Sequence, residues 1–372
     1  MSQTQRLSIL HTESSCGWGG QELRILTESE GMLARGHQVR IIAPAESNIY
    51  REALERKIPC TALPIARKNL KGLFALRRWL KNNPVDIINS HSSTDSWLSA
   101  LANCFLKKPI PLVRTRHVSA PISHNRATRW LYTKASRFIV TTGIRLKQTL
   151  VEENHFPAEQ IKSIPTGMSP ERFYPMDKVT ARSQLNLPKT GFTLGIMATI
   201  RTWKGHLYLI DALHALQRPD ISLLVIGDGP ARAELEARIA QYQLQDQVTL
   251  VGNQTDVTPW LNALDLFILP SYANEGVPQS LMQAMLCELP VISTPIGSTA
   301  EIVLHEKTGL MVKPKDSQGL LVALQRLLDD QSLREKLAQQ GRAHILNAYT
   351  LDHMLDSMEQ VFYNNLSIQK KS

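Results

Sequence analysis

The 372-residue sequence predicts two successive doubly wound α/β domains, each a parallel sheet covered by helices. Three observations carry this: short β-branched runs alternate with amphipathic stretches of helical length, the rhythm breaks once at a proline-rich join and resumes, and glycine-bearing or basic loops follow several runs. In the first half, strands are expected at 7–11, 39–43, 85–90, 111–114 and 138–141, with helices at 22–33, 71–80, 96–106 and 144–152. In the second half, strands are expected at 192–198, 223–227, 248–252, 266–270 and 291–293. The join lies within 157–188, where Pro165, Pro170 and Pro175 interrupt a polar segment. With the boundary at 173, the domains are 1–172 and 173–349. Three helical patterns follow Pro314, and the last, 351–366, aligns Met354, Leu355, Met358, Val361 and Phe362 on one face that needs a surface to cover.

Composition narrows the classes. Apolar residues make up 43% and charged residues 20%, the mix of an ordinary globular chain. No run reaches the 18 or so apolar residues of a spanning helix, and the apolar stretch 7–10 is too short for a signal-peptide core, so a cytoplasmic location is expected. Cys16, Cys60, Cys104 and Cys287 are widely spaced, which supports neither a zinc site nor a disulfide framework and suggests small buried hydrophobes. No metal is expected.

Charge is uneven. Residues 1–175 hold 25 Lys and Arg against 13 Asp and Glu, while 176–372 hold 17 against 20. A basic N-terminal half calls for an acidic partner: nucleic acid, an anionic membrane surface or a phosphorylated substrate. Nucleic acid is disfavoured, because no stacking platform or recognition motif accompanies the charge. Segment 67–81 combines Leu70, Leu73, Phe74 and Leu80 with six cations. It reads either as a crossover helix packing its stripe on the sheet or as a helix lying against anionic lipid. Arg114, Arg116, Arg126 and Arg129, with His124, are candidates to meet a phosphorylated or lipid-linked acceptor.

The strand-end loops carry the chemistry. After the first strand, Gly17, Gly19 and Gly20 open a helix, where backbone could approach an anion; a turn made only for chain geometry is the alternative. The pattern is not GxGxxG and the second strand ends without an acidic residue, so dinucleotide binding is disfavoured. After the first strand of the second half come Arg201 and Lys204, which can converge on a diphosphate or simply be solvated surface charges. Asn274, Glu275, Gly276 and Val277 precede a helix start, where the Glu275 carboxylate grips hydroxyls or merely caps the helix. Ser298 lies in a further loop and helix start, 295–301, suited to phosphate. His117 and, more weakly, His91 sit at strand ends, each readable as functional or as a hydrogen-bonded structural histidine.

Taken in order, Gly19-Gly20, Arg201 to Gly205, Gly227-Asp228-Gly229-Pro230, Leu269-Pro270-Ser271, Glu275-Gly276 and Gly297 to Glu301 resemble the retaining glycosyltransferases of family 4, over nearly the whole chain. The resemblance implies a GT-B fold, with two Rossmann-like domains facing across a cleft and the last helix, 350–372, crossing back to the N-terminal, acceptor-binding domain. It implies a cytoplasmic enzyme, peripheral on the inner face of the cell membrane, that moves a sugar from a UDP- or GDP-linked donor to a lipid-linked or saccharide acceptor of lipopolysaccharide or another surface polysaccharide, without cofactor or metal. Glu275, His117, Arg201 and Lys204 would be catalytic; Gly19, Gly20, Gly227, Gly276, Val277, Gln283 and Ser298 would join Arg201, Lys204 and Glu275 on the donor. In two places the chain departs from the family. Gln283 stands where a second glutamate lies eight residues after the first, and Thr199 and Ala198 stand where an arginine precedes the lysine by five or six. A nucleotide-sugar epimerase on the same fold and a non-catalytic nucleotide-sugar-binding or assembly protein, the latter motivated by Gln283, remain open.

Overall fold

A computed structural model describes residues 5–117, 122–273 and 275–367. Asn274 and the end of the expected last segment, 368–372, lie outside the described residues. The chain divides into two compact units, Met1–Thr166 with Leu351–Ser372, and Gly167–Thr350. The expected boundary at 173 falls inside the second unit. Met168 forms a bridge with Thr350 and donates its N–H to the Tyr349 carbonyl at 2.9 Å, and Phe173 joins the second core, which fastens 167–172 there.

The first unit is built on a seven-stranded parallel sheet. Its strands are β1 (Ser8–Thr12), β2 (Gln38–Ala43), β3 (Cys60–Ala62), β4 (Ile87–Ser90), β5 (Leu112–Arg116), β6 (Phe138–Thr141) and β7 (Ile161–Ser163), in the order β3-β2-β1-β4-β5-β6-β7. The second unit holds a six-stranded parallel sheet. Its strands are β8 (Phe192–Met197), β9 (Ile221–Ile226), β10 (Val248–Gly252), β11 (Leu266–Leu269), β12 (Val291–Ser293) and β13 (Leu310–Met311), ordered β10-β9-β8-β11-β12-β13. Central strands such as β4 and β11 are buried along their whole length, as a parallel sheet covered on both faces requires. In each sheet the order reverses once, between β1 and β4 and between β8 and β11, and a crevice at the carboxyl ends of the strands opens where the order reverses.

The last helix, Leu351–Ser367, finds its surface in the first unit. Met354, Leu355, Met358, Val361 and Phe362 pack with Leu7, Ile9, Met32, Val39 and Ile87 in one core cluster. A Cβ on Gly31 would stand 2.4 Å from Leu355 Cδ1, so the helix Gly20–Ala34 and the last helix meet where a side chain is missing. Arg35 reinforces the contact through Asp352, Asp356 and Glu359. Among the described residues no helix is long and apolar enough to cross a membrane.

Three expectations change. The helix expected at 96–106 starts earlier, at Ser93, because Ser92 and Asp95 form a reciprocal capping box. The expected helix 144–152 is a short α-helix, Ile144–Gln148, continued by a wider π-type turn, Thr149–Glu153. Only Cys287 is buried; Cys60 is half-buried and Cys16 and Cys104 are exposed.

Phe362 is fully buried, so Phe362→Ala should cost about 3–5 kcal/mol of stability. Truncation after Ala348 should lower the unfolding temperature further by exposing Leu7, Ile9 and Met32. Calorimetry checks both; an unchanged transition would contradict the packing role of the last helix.

Candidate functional site

In the second unit the loops after β8, β9, β11 and β12 interlock at the switch point. Gly205 lies in the left-handed region at φ 79°, and a Cβ there would sit 2.1 Å from the Pro270 carbonyl oxygen. Gly227, at φ 132°, would put a Cβ 2.2 Å from the Ala198 carbonyl, so glycine is required at both points. Backbone bonds complete the lattice: Tyr272 N–H to the Trp203 carbonyl at 2.8 Å, Ile200 N–H to the Asp228 carbonyl at 3.0 Å, and Ser298 N–H to the Gly276 carbonyl at 3.2 Å.

This lattice brings Lys204 and Glu275 together across the switch point. Lys204 Nζ lies 2.6 Å from Glu275 Oε1, and Ser271 Oγ donates to the same oxygen at 2.5 Å. Glu275 is only 7% exposed, so its charge depends on these partners. It does not cap the following helix, which begins at Gln279 with Pro278 in the cap position. Arg201 is exposed and stacks over the Trp203 ring at 5.0 Å, on the same turn as Lys204 but without the ion pair. Val277 is buried, and Gln283 is half-buried on the helix Gln279–Leu286. Ser298 is buried, but the expected helix start beside it is only a three-residue 3-10 turn, Thr299–Glu301, too short to act as a helix N-terminus for phosphate.

Sequence reading missed the aromatic surround. Lys315 Nζ stands 4.6 Å over the Tyr272 ring, and Tyr272 meets Tyr208 edge-on. These residues come from three distant segments, and only the fold joins them. His206, next to the required Gly205, is buried with no partner at either ring nitrogen among the described residues, and burial followed by the Lys204 charge lowers its pKa to about 4.

In the first unit the polar groups gather at the β1/β4 switch point. The helix Gly20–Ala34 starts with Gly19 in the cap position. Gly19 has extended backbone, and a Cβ there would meet nothing closer than Glu22 Oε2 at 3.8 Å, so chain geometry does not demand this glycine. His117 is joined to His91, Nε2 to Nδ1, at 3.0 Å, and His91 Nε2 meets His11 Nδ1 at 2.9 Å. Burial, then the Arg24 charge, lowers His11 to about 3; burial likewise holds His91 and His117 well below the usual imidazole range. Burial, then Asp95, raises Glu13 to about 8.

The basic candidates separate. Arg114 and Arg116 are buried and cannot face an acceptor or a membrane: Arg114 lies 4.3 Å over the Tyr132 ring, and Arg116 Nη1 donates to the Tyr132 hydroxyl at 2.9 Å. Their strand, β5, is inside the sheet, where an arginine must turn to a partner. Arg126, Arg129 and His124 are exposed. Within the helix Leu70–Asn82 the inward residues are Gly72, Leu76 and Leu80, with Leu73 partly buried, while Leu70 and Phe74 are 69% and 58% exposed. The expected single stripe is thus two faces, one on the core and one outward. On the next helix, Ser93–Cys104 and its cap residue, Leu101 and Phe105 are also exposed, with Arg77 5.7 Å over the Phe105 ring.

Two family models match the chain: Glycosyltransferase Family 4 over residues 18–172 and Glycosyl transferases group 1 over residues 177–344. A UDP-Gal:alpha-D-GlcNAc-diphosphoundecaprenol alpha-1,3-galactosyltransferase of Escherichia coli is 26% identical over 310 residues, covering 79% of both chains. The lipopolysaccharide core biosynthesis mannosyltransferase LpsB of Rhizobium meliloti is 30% identical over 206 residues, 53% of this chain and 58% of that protein. Among solved structures, a glycosyltransferase from Rickettsia africae superposes with TM-score 0.88 at 20% identity, covering 98% of this chain and 99% of that one. HepE from Anabaena, in complex with UDP, superposes with TM-score 0.87 at 20% identity, covering 96% of this chain and all of that one. The two sheets are therefore the Rossmann-like domains of a GT-B fold.

Protonation of the buried rings sets a pH dependence. Below pH 6.5 the unfolded chain binds protons that His11 and His206 refuse in the fold, so stability falls as pH drops from 6.5 towards 4, by about 1.4 kcal/mol per pH unit for each ring. Glu13 has the opposite sign: the fold keeps its proton up to about pH 8, so its cost in stability grows between 4.5 and 8 and vanishes at lower pH. The histidines outnumber it. Denaturant unfolding should give a lower midpoint at pH 5 than at pH 6.5, and His206→Gln should shrink that difference.

Proposed function

Because the chain belongs to the glycosyltransferases, a family 4 domain followed by a group 1 domain, we propose that it transfers a sugar from a nucleotide-sugar donor, UDP- or GDP-linked, to a lipid-linked or saccharide acceptor of a surface polysaccharide, with retention of anomeric configuration. The observation that carries this reading is the Lys204, Glu275 and Ser271 cluster at the β8/β11 switch point. A diphosphate competes with Glu275 for the Lys204 ammonium and draws in the Arg201 guanidinium from the neighbouring turn. Glu275, released from the pair, accepts hydrogen bonds from sugar hydroxyls. As the bond to the diphosphate breaks, negative charge grows on the leaving oxygens, and these two cations are preorganised to meet it without a bound metal. Gly276, whose carbonyl accepts the Ser298 N–H, and Val277 lie in the same loop as Glu275. Gln283, an amide in place of a second carboxylate, accepts from a hydroxyl without the charge-assisted strength, which shifts nucleotide preference rather than removing binding. The galactosyltransferase of Escherichia coli and the lipopolysaccharide mannosyltransferase support the acceptor class by analogy.

Thermal unfolding should identify the donor: one nucleotide diphosphate and its sugar conjugate, at about a hundred times the dissociation constant, should stabilise the protein by roughly 2.7 kcal/mol with EDTA present. Glu275→Ala should keep the fold and abolish transfer from that donor. An active variant would sink the site assignment.

The outward face of the first unit supports a peripheral position on the inner membrane surface. Leu70, Phe74, Leu101 and Phe105 are exposed beside Lys71, Arg77, Arg78, Lys107 and Lys108. Trp97 and Trp130 stack at 6.1 Å, with Lys68 over Trp97, beside the exposed Arg126 and Arg129. Apolar groups ringed by cations suit an interface of anionic lipid. Sedimentation with anionic vesicles should pull down the protein, and Phe74→Asp should weaken that binding without changing the unfolding temperature; equal binding to neutral vesicles would refute the electrostatic part.

A further inference from the structure

We infer that the row of buried His11, buried His91 and half-buried His117 fixes His117 as a neutral imidazole with its proton on Nδ1, a preset hydrogen-bond donor to an oxygen of the substrate. The inference follows from counting protons. A neutral imidazole carries one N–H, and each of the two ring contacts needs one proton between its nitrogens. His11 Nδ1 faces His91 Nε2 at 2.9 Å, and His91 Nδ1 faces His117 Nε2 at 3.0 Å. With all three rings neutral, only two arrangements satisfy both contacts. Either every ring is protonated on Nδ1, so that the protons all point from His11 towards His117, or every ring is protonated on Nε2 and they all point back.

The inner end of the row decides between them. His11 Nε2 is buried with no partner among the described residues. In the backward arrangement this atom carries a stranded N–H; in the forward one it is a bare lone pair, and an orphaned buried N–H is the rarer and costlier of the two. The charged neighbour acts on the protonation of the rings. Arg24, fully buried, donates through Nη1 to the Ile164 carbonyl at 2.6 Å and pairs with Glu28, and its positive charge acts on all three rings. A nearby cation disfavours a second proton on any of the rings, which keeps all three neutral. Asp95 fixes the middle of the row from the other side by accepting the His91 backbone N–H at 3.0 Å, while its remaining bonds go to Thr12, Ser14 and Ser92. His11 and His91 are therefore positioning residues. They transmit the choice made at His11 Nε2 to His117, which offers a proton to an acceptor oxygen and cannot serve as a base through Nδ1.

The identity of that oxygen rests on the glycosyl-transfer reading; the tautomer does not. Nitrogen NMR of the full chain labelled on histidine, with assignments from single His→Gln variants, reads it directly in the free protein. The expected result is a protonated Nδ1 and a bare Nε2 on all three rings at pH 7. A bare Nδ1 on His117, or an imidazolium in the row, overturns the inference. The kinetic counterpart compares His91→Phe with His91→Gln, whose amide can accept from His11 and donate to His117. His91→Phe should lower kcat by about tenfold or more with little change in KM, as when an orienting partner is lost, and His91→Gln should restore part of it. Equal losses in the two variants overturn the relay. If the tautomer is as expected and no sugar donor turns over, the glycosyl-transfer reading fails and the tautomer assignment stands.

Discussion

The close approach of backbone to backbone at the carboxyl ends of the second sheet is the constraint on which the candidate site depends. Gly205 presses on the Pro270 carbonyl, and a Cβ on Gly297 would stand 1.9 Å from the carbonyl oxygen of Glu275 itself. These contacts leave no room for a side chain, so the loop holding Lys204 and the loop holding Glu275 are fixed at a separation that one ion pair spans. Had either loop been free to drift, a largely buried carboxylate would be left without its cation, a cost that would drive the loop to open or the group to take a proton. The glycines therefore act on the electrostatics of the site without contributing any polar atom to it.

The first unit solves a similar problem differently. Its switch point also collects titratable groups, but burial there keeps the rings uncharged instead of pairing them. Charge is retained at Arg24, where Glu28 lies within 3.4 Å and Asn89 donates to the same carboxylate at 3.3 Å. Thr115 in turn donates to Asn89 at 2.8 Å, so the network crosses from the helix Gly20–Ala34 through β4 to β5. A polar network in a sheet core is tolerable only when most of its members are satisfied. Among the described residues, the atoms left without a hydrogen-bond partner include Arg24 Nε and Nη2 and, on the first ring of the row, His11 Nε2. The unpartnered His11 Nε2 gives the row of rings a direction, since a row satisfied at both ends would leave both proton arrangements equally costly.

How much of this was legible in the sequence depended on how far apart the interacting residues lie. Strands with four or more β-branched or apolar residues, such as β6 and β9, stood out; β3, β7 and β13, with two or three residues each, carried no periodic signal. The helix Asn48–Glu55 was missed because only Ile49 and Ala53 face inward. Lys204 and Glu275 were legible because each sits in a local motif after a strand. The histidine row was only partly so: His91 and His117 announced themselves at strand ends, but His11 lies on β1, 80 residues from its partner, and only the pairing of β1 with β4 brings the two together. Arg114 and Arg116 failed as surface candidates for the opposite reason. A basic residue in a short strand was read by its charge, whereas its burial was set by strands on both sides that the sequence does not place.

The same distinction bears on the outward face of the helix Leu70–Asn82. A helix crossing over a parallel sheet needs only one apolar stripe, and Leu76 and Leu80, with Leu73 partly buried beside them, supply it. Leu70 and Phe74 are surplus to that packing, and so is Phe105 at the end of the adjoining helix. Single exposed apolar residues are ordinary, but three large ones on neighbouring helices, flanked by Lys71, Arg77, Arg78, Lys107 and Lys108, form a patch with a charge pattern of its own. Sheet packing explains the inward stripe and leaves the outward one without a structural cause. The basic excess of the first 175 residues then separates in two: Arg24, Arg114 and Arg116 are consumed inside the fold, and the cations around the outward patch stay in solvent.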